Sequence, residues 1–305
     1  MRPRFLADLL LLSATLVWGM NFPIMKGVYD HIHPLAFTML RFITAMAALW
    51  IVLKLLGYSL EIEHKDILAI AALGLLINTF YQIIFNLGLA RTRAGNAGLL
   101  MSSTPVFAYL TGVLLGREKF RRRVLGGILL SMSGVVVVVL FSAASVDFSS
   151  SRLGDALVLL SAVCWGFYTG GSARLTLKYG AVRMTFWTMF SGTLGLLPLL
   201  FSYVVRQDWQ AVPPGAWLGF AYSTFLSIVF AYLAWAFALN QLGVSRTAIY
   251  TNITPLVALF GGWLLLGEQP TWAQMAGVAL ILGGVLLVRT RAPAFDVLRS
   301  TLRSR

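Results

Sequence analysis

Apolar runs recur along the whole chain, separated by short polar or charged stretches. Ten stand out, at 6–25, 35–56, 67–88, 94–115, 124–142, 154–173, 184–204, 216–238, 246–266 and 272–288. Each is long enough to cross ~30 Å of hydrocarbon as a helix. The period-2 alternation of strands is absent, and in lipid only helices or closed barrels satisfy the backbone. The pattern predicts an all-α integral membrane protein with ten transmembrane helices. The connections, such as residues 61–66, 117–123 and 212–215, are too short to hold a soluble catalytic domain. The first run lacks a small-residue cleavage site and ends in Asn21, Phe22 and Pro23, so it is read as a retained span, not a signal peptide.

Composition sharpens this picture. Hydrophobic residues make up 58% of the chain and charged residues 11%, against about 25% charge in a soluble domain. The net charge of +13 does not point to nucleic acid. Its lysines and arginines lie between apolar runs, not in a basic stripe interleaved with aromatics. They read instead as topology signals and contacts to anionic lipid headgroups. The lone cysteine, Cys164, permits no intrachain disulfide and reads as a small core residue.

Counted across alternating connections, 18 of the 24 lysines and arginines fall on one side and 5 on the other, with Arg41 inside a span. The positive-inside rule then puts both termini in the cytoplasm, in a multi-pass protein of the bacterial inner membrane.

The two halves of the sequence correspond. Asp8 and Trp18-Gly19 recur as Asp155 and Trp165-Gly166, an offset of 147; Thr104-Pro105 recurs as Thr254-Pro255, and Gly127 and Gly134 as Gly277 and Gly284, an offset of 150. This divides the chain into a first repeat (1–142), a linker (143–153), a second repeat (154–290) and a basic cytoplasmic tail (291–305). Five spans is an odd number, so the second repeat enters the membrane from the opposite face. Inverted repeats of this kind hold substrate near the midplane between the halves.

Trp18-Gly19-Met20-Asn21-Phe22, Leu40-Arg41-Phe42, the paired Thr-Pro steps and the Glu118 and Glu268 endings resemble the EamA family of the drug/metabolite transporter superfamily. The resemblance covers residues 8–290. It implies two inverted five-helix repeats around a central cavity, and export of amino acids or other metabolites. The chain departs from internal symmetry at Arg41, whose counterpart in the second half is Thr188.

Polar side chains inside spans are costly and so mark candidate binding sites. Asn78, Tyr81, Gln82, Phe85 and Asn86 fall at helical spacing in span 3. Trp18 and Asn21 in span 1 correspond to Trp165 and Tyr168 in span 6. Tyr232 and Trp235 are the repeat mates of Gln82 and Phe85, and Tyr250 and Asn252 add a further pair. All are read as cavity-facing, with helix–helix packing as the alternative for each. Arg41, always charged, either binds a substrate carboxylate or locks helices together. Pro105 and Pro255 are read as paired hinges, with a static kink as the alternative. The repeated glycines are read as close-packing positions.

Every acidic residue falls at a span end or in a loop, and the three histidines fall in loops. With no mid-membrane acid to relay protons, the expected mechanism is a facilitator or exchanger. No catalytic residue, metal or cofactor is expected: buried aspartate pairs, zinc ligands and a phosphate-binding G-x-x-x-x-G-K-[ST] loop are all missing. The expected partners are a small-molecule substrate and membrane lipid, with a homodimer left open. A sugar-nucleotide or lipid carrier, and a channel, are the rival readings.

Overall fold

The computed structural model describes residues 3–114, 122–141, 148–242, 250 and 253–289. Among these residues there are only helices and their connections, as the apolar runs predict. In order they are α1 (Pro3–Val28), α2 (Pro34–Leu55), α3 (His64–Gly74), α4 (Tyr81–Arg91), α5 (Ala94–Met101), α6 (Thr104–Leu114), α7 (Arg122–Phe141), α8 (Phe148–Tyr179), α9 (Ala181–Arg206), α10 (Pro214–Ala221), α11 (Ala231–Leu242), α12 (Thr254–Leu266) and α13 (Trp272–Arg289). Seven continuous helical stretches are long and apolar enough to cross a membrane; Thr254–Leu266 and Trp272–Gly284 are shorter apolar helices. Helix α8 starts at Phe148, inside the stretch read as a linker. The basic tail lies outside the described residues.

Two of the apolar runs are not uniform helices. Leu75–Phe80 joins α3 to α4, and Tyr222–Phe230 joins α10 to α11, each as a wider π-helical segment. Such segments are rare and cluster at functional places. The fourth run is broken at Ser102 and Ser103, after which Thr104 and Pro105 open α6. Pro255 likewise stands in the first turn of α12. There its missing N–H leaves no intrahelical bond unmade.

The packing repeats with the two halves exchanged. Helix α1 lies along α11 and α12, and α8 lies along α4 and α6. Like spans also meet, α2 with α9, α5 with α12, and α7 with α13, while α9 packs in addition on α3 and the π segment that follows it. The Trp-Gly glycines show why. A Cβ on Gly19 would come within 2.4 Å of Val257 Cβ, and one on Gly166 within 2.4 Å of Phe107 Cβ. Phe107 and Val257 are 150 residues apart, the repeat offset of that region. The same contact is thus built twice. Gly134 and Gly284 serve the α7–α13 approach: a Cβ on Gly284 would meet the Gly127 carbonyl oxygen at 2.4 Å. Small residues let membrane helices approach at backbone distance, which drives association where lipid removes the hydrophobic drive.

Candidate functional site

The centre of the bundle is organised by Arg41 on α2, which is 4% exposed. Its Nη2 donates to Gln82 Oε1 at 3.1 Å and its Nη1 to the Met25 thioether at 3.0 Å. The guanidinium lies 5.2 Å from the Phe37 ring centroid and 5.5 Å from that of Phe42. Its Nε has no hydrogen-bond partner, and no described carboxylate pairs with it. A buried guanidinium cannot shed its proton. It is therefore a fixed cation answered only by neutral groups, an arrangement that attracts an anion.

Gln82 and Asn86 follow one turn apart on α4. Asn86 Nδ2 donates to the Gln82 carbonyl at 2.5 Å and to Gln82 Oε1 at 3.2 Å, and the Tyr29 hydroxyl donates to Asn86 Oδ1. A polar chain thus runs Arg41–Gln82–Asn86–Tyr29, from α2 through α4 to the turn that follows α1. Asn21 joins the same neighbourhood, donating to Met25 Sδ at 2.9 Å and accepting from Ser223 Oγ at 2.7 Å.

Aromatic rings flank this chain in two groups. Trp18 packs against Tyr232 and Trp235 at 6.2 and 5.3 Å and donates its indole N–H to the Ser227 carbonyl at 2.8 Å. Trp165 packs against Tyr81 and Tyr168 at 5.4 and 6.2 Å, and Tyr81 stacks on Phe85 at 5.5 Å. Each repeat-related tryptophan therefore meets the third span of the opposite half. Trp18, Trp165, Tyr168, Tyr232 and Trp235 are all half-buried.

Two sequence candidates have other neighbours as well. Asn78 lies in the first π segment with its Cβ against Gly192 of α9. Tyr250 donates to Asp8 Oδ1 at 3.0 Å, at the end of the bundle where α1 begins. Asn252 lies outside the described residues. Tyr29 and Met25 were missed. Tyr29 stands just beyond the end of its apolar run, and Met25 has nothing polar to flag it.

A second polar cluster occupies the end where α1 finishes, and sequence reasoning did not assemble it. Glu268 follows Gly267, whose left-handed backbone (φ 65°) ends α12 and turns the glutamate back. Its carboxylate accepts from the Ala94 and Gly95 backbone N–H groups at 3.0 and 3.3 Å, capping α5. It also pairs with Lys26 at 3.2 Å, and Lys26 donates to the Thr92 carbonyl. Beside them Thr92 and Asn96 donate to Asp155, and Gln274 donates to Asn96 Oδ1 at 2.7 Å. Asp155 does stand at a span end, as read from the sequence, yet it is only 2% exposed. Tertiary packing, not depth along the span, buries Asp155. Among the described residues no group of His, Cys, Asp or Glu could hold a metal ion.

The chain matches the EamA-like transporter family over residues 5–140 and again over 152–290. It belongs to that family. It is 30% identical over 269 residues to the uncharacterized transporter YdfC of Bacillus subtilis (strain 168), covering 88% of this chain and 86% of YdfC. It is 27% identical over 281 residues to a "Probable terminal-alkyne amino-acid exporter" of Streptantibioticus cattleyicolor, covering 92% of each. A "Probable amino-acid metabolite efflux pump" of Salmonella typhimurium is 26% identical over 293 residues, covering 91% of this chain and 93% of its own length. A solved crystal structure at 18% identity shares the fold, with a TM-score of 0.63 over 97% of this chain and 98% of its own. This EamA protein is thus a two-repeat, multi-pass membrane transporter and not an enzyme.

Proposed function

We propose that the protein exports small carboxylate-bearing metabolites, amino acids foremost, by alternating access around the Arg41–Gln82–Asn86 chain. Ten spans in two inverted repeats, with both termini in the cytoplasm of a bacterial cell, support such a mechanism, because an inverted pair has two equivalent states. The positive-inside bias and the exchange symmetry of the packing favour this topology. The end holding Lys26 and Glu268 is then extracytoplasmic and shut in this structure. The π segments and the Thr-Pro steps at Pro105 and Pro255, each present in both halves, are the flexible points.

The observation that carries the substrate class is Arg41: a buried cation with no carboxylate partner, beside amide groups and between two aromatic walls. A carboxylate would accept two parallel N–H bonds from it, while the rings would enclose an apolar or cationic remainder of the ligand. Two relatives named as exporters of amino acids or their metabolites point the same way. A sugar-nucleotide carrier is disfavoured because, among the described residues, further cations for its phosphates are not found beside Arg41. The test is a growth screen in an export-deficient cell against toxic amino-acid analogues, followed by efflux from proteoliposomes. Resistance with saturable, competable efflux is expected. Efflux that never saturates, or terminal tags on opposite membrane faces, would overturn the proposal.

A further inference from the structure

Asp155 is a buried acid in the shut end, and the transport reading above gives it no role. It stands near the start of α8 with Thr92 Oγ1 donating to its Oδ1, and Asn96 Nδ2 lies 3.4 and 3.5 Å from its two oxygens. Both partners are neutral. The charged groups around it are engaged elsewhere. Lys26, from α1, binds Glu268 and the Thr92 carbonyl. Glu268 caps α5. Arg93 donates to the Gln269 carbonyl and Arg91 to that of Leu87 at 2.8 Å. Arg152, one turn earlier on α8, is likewise engaged in an interaction of its own. No ion pair joins Asp155 to any of these among the described residues.

The seam around it is tight. A Cβ on Gly154 would lie 2.8 Å from the Thr92 nitrogen and 2.9 Å from the Arg91 carbonyl carbon. Helix α8 of the second repeat therefore meets the α4–α5 corner of the first at backbone distance, and Asp155 beside that contact is only 2% exposed. A carboxylate in such a place is costly unless paired, and binding a proton removes the charge while keeping both oxygens available to Thr92 and Asn96. When the seam parts, water solvates the acid and the proton leaves.

We propose that Asp155 is a proton-binding site whose occupancy holds this end of the transporter shut. This rests on the alternating-access reading, in which the seam must open. The repeat mate supports a division of labour between the ends. Asp8 accepts from Tyr250 at 3.0 Å, and the 150-residue register sets Arg246 where the first repeat has Asn96. The sequence thus supplies a neutral amide in the first repeat where the second carries a basic residue. The shut state binds the extra proton, so raising the pH favours opening, by at most about tenfold per pH unit for one proton.

The test uses full-length protein in liposomes of phosphatidylethanolamine and phosphatidylglycerol. Infrared difference spectra across a pH series should show a protonated-carboxyl C=O band that bleaches on alkalinisation and is missing in Asp155→Asn. In a Cys164→Ser background, the Ala97→Cys thiol on α5 should react with an impermeant maleimide severalfold faster at high pH. Its rate is taken relative to Gln210→Cys on an exposed loop, which cancels thiol ionisation. The Asp155→Asn protein should show a flat, low ratio. A wild-type protein with no such band, or a pH-flat labelling ratio, overturns the proposal even if the asparagine variant fails to fold. Efflux from the same liposomes separates the two readings: intact efflux with a pH-flat seam sinks the proton site alone.

Discussion

Replacing Arg41 by glutamine separates a ligand anchor from a helix lock. The guanidinium makes one hydrogen bond to Gln82 at 3.1 Å and one to a thioether at 3.0 Å, and leaves Nε unused. A charged hydrogen bond contributes about 1.5–3 kcal/mol. Losing that from a bound carboxylate weakens binding by about 10- to 100-fold at 1.36 kcal/mol per decade. A substrate lacking the carboxylate should lose nothing, or gain. The stability effect should be small or favourable, because the variant removes a buried cation that has no counter-charge. A lock would behave in the opposite way: breaking a buried, satisfied charge network costs about 3–5 kcal/mol. The assay is counterflow in proteoliposomes with an amino acid and its decarboxylated amine as competitors, alongside thermal unfolding of the same preparation. A selective rise in the half-saturating concentration of the amino acid, at an unchanged unfolding midpoint, is expected. Equal loss of both competitors, or a collapse of stability, would refute the anchor. Arg41→Lys should recover only part of the affinity, since an ammonium lacks the planar two-point fork.

Three further outcomes follow from the packing. Gly166→Ala and Gly19→Ala should each cost about 1–3 kcal/mol by overpacking, since their new methyl groups would meet Phe107 and Val257 at 2.4 Å; thermal unfolding checks this, and Gly126→Ala, with nothing within 4 Å, is the control. Glu268→Gln removes the charge that caps α5 and pairs with Lys26. It should loosen the shut end by about 0.5–2 kcal/mol, read as faster maleimide labelling of Ala97→Cys. At the opposite end Lys178 lies 2.5 Å from Glu63 and 2.6 Å from Asp66. Hydrogen bonds from Lys178 and Lys65 hold the exposed Glu63 carboxyl below its ordinary value, and the bonds to Asp66 and Glu63 push Lys178 above its own. The glutamate's contribution is present above the ordinary carboxyl pKa and lost as pH falls through its lowered value. The lysine's is present below the ordinary lysine pKa and lost only as pH rises through its raised one. Hydrogen-exchange protection of residues 57–66, with the intrinsic pH dependence of amide exchange divided out, should therefore be flat across neutral pH and fall in acid.

The features legible in the sequence are those that repeat or that obey a period. The apolar runs mark the chain as all-helical, and Trp18-Gly19 with Trp165-Gly166 gives the correspondence of halves. The structure divides that motif into two jobs. The tryptophans reach Tyr232, Trp235 and Tyr81 across the repeat boundary, while the glycines admit Val257 and Phe107. Arg41, Gln82 and Asn86 were readable as an expensive set of polar groups at membrane depth, and the fold does join them. The π segment at Leu75–Phe80 was not legible, because the residues LLINTF read equally well as a turn and a half of α-helix.

Asp155 shows the other limit. Its position marks a span end, and span ends are ordinarily wet. What buries it is the convergence of Thr92, Asn96 and Gln274, the last of these 178 residues along the chain from Asn96. Each of the three is individually unremarkable at the rim of a span. Together they supply donors that reach the carboxylate, directly or through Asn96, without supplying a charge. A hydrophobicity profile scores depth along one helix, whereas the cost of a charge depends on what closes around it from other helices. The same reasoning explains why Arg41 stood out and Asp155 did not: one is buried by its own helix's insertion, the other only by the meeting of the two repeats. An acid buried only by that meeting is solvated whenever the repeats part, which ties its proton to the conformational cycle and not to the fold.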